Sequence, residues 1–152
     1  MEIETTRFGI LTVDADALLT FPRGLIGMTD LARFVLIPPT GVEGDFYWLQ
    51  SVEDAAVAFL VVDPNRFFKD YHVSIREETQ ADLDLADAKD GQLYVICNRV
   101  GEWVTGNLQG PLVINTRTRV GQQVVLTEKK WTCRQPLLKL ESVEEPALAR
   151  AA

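Results

Sequence analysis

Thr105-Gly-Asn-Leu-Gln-Gly-Pro-Leu-Val-Ile-Asn-Thr-Arg-Thr-Arg-Val-Gly-Gln-Gln-Val-Val-Leu126 is the stretch on which the fold turns. Leu112, Ile114 and Thr116 fall on one face and Val113 and Asn115 on the other, the period-two alternation of a strand. Gly121 marks the expected reversal, after which Gln123-Val-Val-Leu126 runs back. Two strands and a tight turn account for the segment, which holds neither a nucleophile–base pair nor a cluster of metal ligands. Function is therefore expected on a surface and not in an active site.

Outward from this hairpin, short apolar runs recur with turn signals between them. Ile3 to Phe8 alternates, Gly9 suits a turn into Ile10-Leu-Thr-Val13, and Leu18 to Phe21 stops at Pro22-Arg-Gly24. Gly27 adds a second flexible point, and residues 29–33 are predicted as one helical turn capped by Thr29. Phe34 to Ile37, Phe46 to Val52, Val57 to Val62, Tyr71 to Ile75 and Gln92 to Cys97 read as further strands. A polar loop is expected over residues 40–45, turns at Glu53-Asp54 and at residues 88–91, and a short helical turn at residues 64–68. Residues 77–84 are the best candidate for a helix. Strands at a spacing of about 8–12 residues predict a mainly β fold. The expectation is a small antiparallel β-barrel or roll, partly open, with one to three short helices. Closure is preferred because it leaves the fewest unpaired edges. One domain over residues 1–140 and a frayed tail over 141–152 complete the reading.

Composition narrows the function. The chain has 152 residues, 47% of them hydrophobic and 24% charged, the balance of an ordinary globular protein. Met1-Glu-Ile-Glu-Thr-Thr shows no signal-peptide pattern, and the longest apolar run, residues 55–62, falls well short of the ~20 residues that span a bilayer. A cytoplasmic protein with two reduced cysteines, no membrane contact and no cofactor is expected. The net charge of -7 argues against direct nucleic-acid binding, which needs a basic surface. Residues 1–102 carry 18 acidic and 8 basic side chains, whereas residues 103–152 carry 4 and 7, which hints at a negative face.

No catalytic set emerges. His72 is the sole histidine and sits in a strand-like stretch, Cys97 reads as a core residue, and Cys133 beside Arg134 has no sequence partner for nucleophilic chemistry. Glu53-Asp54 and Glu77-Glu78 are carboxylate pairs that acidic turns and solvated helix faces explain. Two clusters stand as interaction candidates. Glu77, Glu78, Asp82, Asp84, Asp87 and Asp90 are either a solubilising outer face or a docking surface for a basic partner. Phe21, Leu25, Ile26 and Met28 either plug one end of the barrel or form an exposed patch for a partner's amphipathic helix.

Four stretches carry a family resemblance. Phe21-Pro-Arg-Gly-Leu-Ile-Gly-Met-Thr-Asp-Leu-Ala-Arg-Phe-Val-Leu36, Phe46-Tyr-Trp-Leu-Gln-Ser-Val-Glu-Asp54, Val61-Val-Asp-Pro64 and Asn107-Leu-Gln-Gly-Pro-Leu-Val-Ile-Asn115, in that order, resemble the flagellar assembly factor FliW family. Pro22, Gly24, Gly27, Asn107, Pro111 and Asn115 are the turn and strand positions of those motifs. Gly106 and Gly110 stand where alanine is common in the family, and Gln135 where Arg-His-Pro is common. The resemblance implies a non-enzymatic binding protein, monomeric on its own, with two partners: newly made flagellin, and the translational regulator CsrA, whose repression of flagellin mRNA it relieves. Two other classes compete on sequence: a small-ligand-binding β-barrel, which the large side chains Phe46, Trp48, Phe59, Phe67 and Phe68 disfavour by filling the interior, and a hydrolase using two carboxylates.

Overall fold

The computed structural model describes residues 1–38, 46–87 and 90–140. Among the described residues eleven strands occur in chain order: β1 (Glu2–Thr5), β2 (Gly9–Thr12), β3 (Leu19–Thr20), β4 (Arg33–Ile37), β5 (Phe46–Ser51), β6 (Ala58–Val62), β7 (Gly91–Val100), β8 (Trp103–Gly106), β9 (Leu112–Asn115), β10 (Val120–Gln123) and β11 (Gln135–Lys139). The described residues also form the helix α1 (Glu77–Asp82) and the 3-10 turns Ala15–Ala17 and Pro64–Arg66 between them. The predicted loop 40–45 and tail 141–152 lie outside the described residues, as do residues 88 and 89 of the predicted turn.

β1 and β2 form a separate hairpin, fastened to the rest by Thr6 N donating to Ala55 O at 2.9 Å and by the burial of Ile3. The other nine strands run in the order β11-β8-β7-β6-β5-β4-β3-β10-β9, and β9 also pairs with the first half of β7. The sheet is mainly antiparallel and rolls back towards itself. Full closure, the preferred expectation, is not reached. The seam between β3 and β10 is a parallel contact with one registered pair, Thr20 and Val120, because β3 is only two residues long.

Alternation decides which side chains are buried. Val35, Trp48, Leu60, Val95 and Cys97 point to one face, where Phe46, Tyr71, Leu108 and Trp131 complete a cluster. Leu49 and Val61 point to the other and pack with Leu19, Phe21, Phe34, Leu112 and Ile114. Val113, on the opposite side of β9, packs against Leu83 and Leu85 just after α1. The two faces foreseen for residues 112–115 are thus both buried, under different neighbours.

Four local expectations are corrected. Gly121 is not the reversal; it lies inside β10 opposite Ile114, and residues 116–119 make the turn, with Arg119 at φ 63°. Its lack of a side chain serves packing: a Cβ there would stand 2.7 Å from Cε2 of Phe21. Residues 71–75 form no strand, because Tyr71 turns inward and donates its hydroxyl to Leu108 O at 2.6 Å. Residues 29–33 are a turn leading into β4 and not a helical one; Leu31 N donates to Met28 O. The helix is shorter than foreseen and ends at Asp82, since Asp84 takes a positive φ of 52°.

Candidate functional site

Candidate interaction surfaces

The predicted apolar patch divides. Phe21 is 0% exposed and Leu25 2%, so both belong to the core, whereas Ile26 at 60% and Met28 at 38% stand in solvent. The backbone between them is a tight loop: Leu25 and Met28 bridge each other, and Gly27 adopts φ 85°. Gly24, at φ 65°, lies so close to Thr29 that a Cβ would sit 2.5 Å from its Cα. Only glycine meets both demands. Pro22 is exposed at the start of this loop.

The loop forms one rim of an open groove of about 630 Å³. Phe59 of β6 and Ile96, Asn98 and Val100 of β7 line it, with Asn107, Gln123, Cys133 and Arg134. Gln123 was not foreseen in this role, although it holds the groove's parts together. Its Oε1 accepts from Ile26 N and its Nε2 donates to Gly110 O, both at 2.8 Å. Asn107 closes its own turn by accepting from Gly110 N at 3.0 Å, and Pro111 O accepts from Val124 N. Two motifs far apart in sequence, the 21–28 loop and the 107–111 turn, therefore meet at one groove. In sequence Gln123 is only the second of two adjacent glutamines that end β10 ahead of Val124-Val-Leu126.

The acidic cluster is exposed throughout its described members. Asp82 pairs with Arg23 at 2.8 Å, and Asp84 with Arg117 at 2.8 Å. Glu77 and Glu78 occupy the first turn of α1, where the helix dipole favours carboxylates. Asn115 docks the end of α1: its Nδ2 donates to Leu83 O at 2.8 Å and to Asp84 O at 3.2 Å, satisfying carbonyls that a helix end leaves open. Its Oδ1 accepts from Arg117 N and Thr118 N. Arg23 thus links the acidic helix to the loop that carries Ile26 and Met28.

The residues weighed for chemistry have other partners. Glu53 accepts from Ala32 N and Arg33 N at 2.8 and 2.7 Å, and Asp54 accepts from Ala56 N. Both carboxylates serve turns. His72 is exposed and does not line the groove. Its neighbour Asp70 pairs with Lys130 at 2.6 Å, and that ammonium lowers the carboxyl's pKa. Cys97 is buried, which pushes its thiol up to about 12. Burial, helped by the charge of Glu128, also raises the Tyr71 hydroxyl. Cys133 is exposed and lines the groove, but among the described residues neither His72 nor any carboxylate lines it with the thiol. Among the described residues no group of three or more His, Cys, Asp or Glu could hold a metal ion, and no helix is long and apolar enough to cross a membrane.

Comparison with known proteins yields one family. The model of the FliW protein family matches residues 2–149. A Natranaerobius thermophilus protein described as flagellar assembly factor FliW is 35% identical over 141 residues, covering 90% of this chain and 92% of that one. The Leptospira biflexa protein of the same description is 34% identical, covering 94% of each. A crystal structure of the flagellar assembly factor FliW superposes with a TM-score of 0.80 at 30% identity, covering 91% of this chain and 97% of that one.

Proposed function

The chain belongs to the FliW family and so takes a role in flagellar assembly, and from that premise we propose that it acts without catalysis, by binding flagellin and the translational regulator CsrA in the cytoplasm. Bound flagellin keeps it from CsrA. Flagellin export frees it to bind CsrA and relieve repression of flagellin mRNA. The observation that carries this reading is the division of its surface into two unlike patches joined by one loop. Arg23 of that loop pairs with the acidic helix, and Ile26 and Met28 of the same loop rim an apolar groove. Two partners of different chemistry suit such a surface.

The acidic patch supplies a physical route to antagonism. A negative body docked beside a basic RNA groove repels phosphates over roughly a Debye length, ~8 Å at physiological salt, without filling the groove. Glu77, Glu78, Asp82, Asp84 and Asp87 are the residues assigned to that contact. The test titrates purified flagellin and CsrA against this protein, separately and together. Binding of each alone, with flagellin displacing CsrA, is the expected result. Failure to bind either one removes that half of the proposal.

A small-ligand-binding barrel is the weaker reading. Trp48, Leu60, Tyr71, Val95, Leu108 and Trp131 fill the space that such a ligand would need.

A further inference from the structure

The hairpin of β1 and β2 stands apart from the main sheet, and its bonding leaves an edge of β2 open. Met1 N donates to Val13 O at 3.1 Å and Val13 N donates to Met1 O at 2.8 Å, so these two residues face each other as a bonded pair. Bonded and unbonded pairs alternate along an antiparallel ladder. Ile3 with Leu11 is therefore a bonded pair, whereas Glu4 with Ile10 and Glu2 with Thr12 are not. The backbone N–H and C=O groups of Ile10 and Thr12 point away from β1, and among the described residues no hydrogen bond reaches these four groups. Gly9, Ile10 and Thr12 are exposed, Ile10 at 67%, and a Cβ at Gly9 would meet nothing within 4 Å.

Open edges are ordinarily guarded by proline, charge or a bulge. β11, the outermost strand of the large sheet, has all three: Pro136, Lys139 and a register shift between Pro136 and Leu138. β2, Gly9-Ile-Leu-Thr12, has none of them. An unguarded edge suits strand addition, in which main-chain bonds hold the guest and neighbouring side chains select it. Glu4 lies across from Ile10 and Glu2 across from Thr12, and all four are exposed on one face; Leu11 is half-buried on the other, with Ile3. An added strand would lie two strand spacings, about 10 Å, from β1. A lysine beside Ile10 lays its methylene stem over that side chain and carries its ammonium towards Glu4. A lysine beside Thr12 does the same towards Glu2, and the residue between them falls beside Leu11. A second copy of the chain would bring no cation to either place and would gather four glutamates on one surface.

We propose that the edge of β2 accepts an extended segment of a protein partner as an added antiparallel strand, with lysine or arginine at two positions two residues apart and an apolar residue between them. This surface shares no residue with α1 or with the groove. It stands apart from the CsrA and flagellin reading, which keeps its own titrations, so the failure of either is distinguishable from the failure of the other.

The test titrates the full chain with a peptide of about nine residues, a strand's length, in which lysine and valine alternate. At about ten times its Kd, exchange of the Ile10 and Thr12 amides slows roughly tenfold, while Leu11, already bonded to Ile3, is unchanged. The same peptide with glutamate in place of lysine binds about tenfold more weakly. Methylating the lysine peptide's backbone nitrogens on the edge that meets β2 abolishes protection. Ile10→Pro removes an outward N–H and none that β1 uses, and weakens binding about five- to tenfold. Should that variant lose the hairpin, seen in the Ile3 and Leu11 resonances, Glu2→Lys with Glu4→Lys carries the same question at exposed positions: its preference moves to the glutamate peptide. No binding of the lysine peptide, equal binding of both peptides, or binding that leaves Ile10 and Thr12 unprotected overturns the proposal. Protection that rises with protein concentration in the absence of peptide makes a second copy the occupant, and overturns it too.

Discussion

Ile26 N donates to the side-chain oxygen of Gln123 at 2.8 Å, joining the tip of the 22–28 loop to a strand 97 residues further along the chain. The same side chain donates to Gly110 O, so a single amide sets the spacing between the groove's two motif loops. Gln123→Ala removes both bonds. At about 0.5–1.5 kcal/mol each, a stability loss of about 1–3 kcal/mol is expected in urea denaturation. Faster hydrogen exchange at the Ile26 amide, with little change at Val61, is the specific sign.

Gly121 and Gly9 form a contrast in what a methyl group meets. At Gly121 a Cβ would lie 2.7 and 2.9 Å from the fully buried Phe21 ring, which has no room to move. Gly121→Ala is expected to cost about 1–3 kcal/mol by overpacking. Gly9 has nothing within 4 Å, so Gly9→Ala meets only the penalty of its φ of 73°, about 1–2 kcal/mol. The two are separated by structure: only the first should broaden side-chain resonances around Phe21 and Phe34.

Asn115 holds the end of α1, and Asn115→Ala leaves the carbonyls of Leu83 and Asp84 without their buried donor. A loss of about 1–3 kcal/mol follows, and more if the turn at residues 116–119 loosens as well. Asn115→Asp tests the role directly, because it keeps the acceptor for Arg117 N and Thr118 N while removing the donor. Denaturation curves should rank wild type above both variants.

For the acidic patch, the ion pairs decide which charges make a clean test. Asp82 is bonded to Arg23, so Asp82→Lys would disturb the loop as well as the patch. Glu77→Lys with Glu78→Lys changes the patch without breaking a described ion pair. That double variant should weaken CsrA binding and flatten its salt dependence while leaving flagellin binding intact. Unchanged CsrA affinity would remove these residues from the contact.

Alkaline pH should unfold the protein through two buried acids. Burial raises the Cys97 thiol from 9.0 to about 12 and raises the Tyr71 hydroxyl in the same direction. A raised folded-state pKa means stability is full below the unfolded value and is lost as pH climbs towards the folded one. Denaturation midpoints should hold up to about pH 9 and fall between about 9 and 12. Tyr71→Phe removes one of the two ionisations and should make that fall shallower.

Much of the fold was legible because burial on a strand is a local, period-two property. Leu112 and Ile114 against Val113 and Asn115, and the apolar run before Asp63-Pro64, placed strands where the structure has them. Turn chemistry was equally readable: Asp63 accepts from Asn65 N and starts a 3-10 turn with Pro64 at its first position. The extended pattern at residues 71–75 misled, because a strand needs a neighbour with free backbone groups and Tyr71 instead anchors to Leu108 O.

The amino-acid order by itself determined the in-and-out alternation along strands such as residues 112–115, the turn begun by Asp63-Pro64, and an acidic excess. Those features depend on neighbours a few positions away. The tertiary structure alone decided that Gly121 makes room for Phe21, that Gln123 ties Ile26 to Gly110, and that Phe21 is core while Ile26 is groove rim. Each of these depends on residues brought together across the sheet, and steric contact and hydrogen bonding act over a few ångströms of space irrespective of distance along the chain.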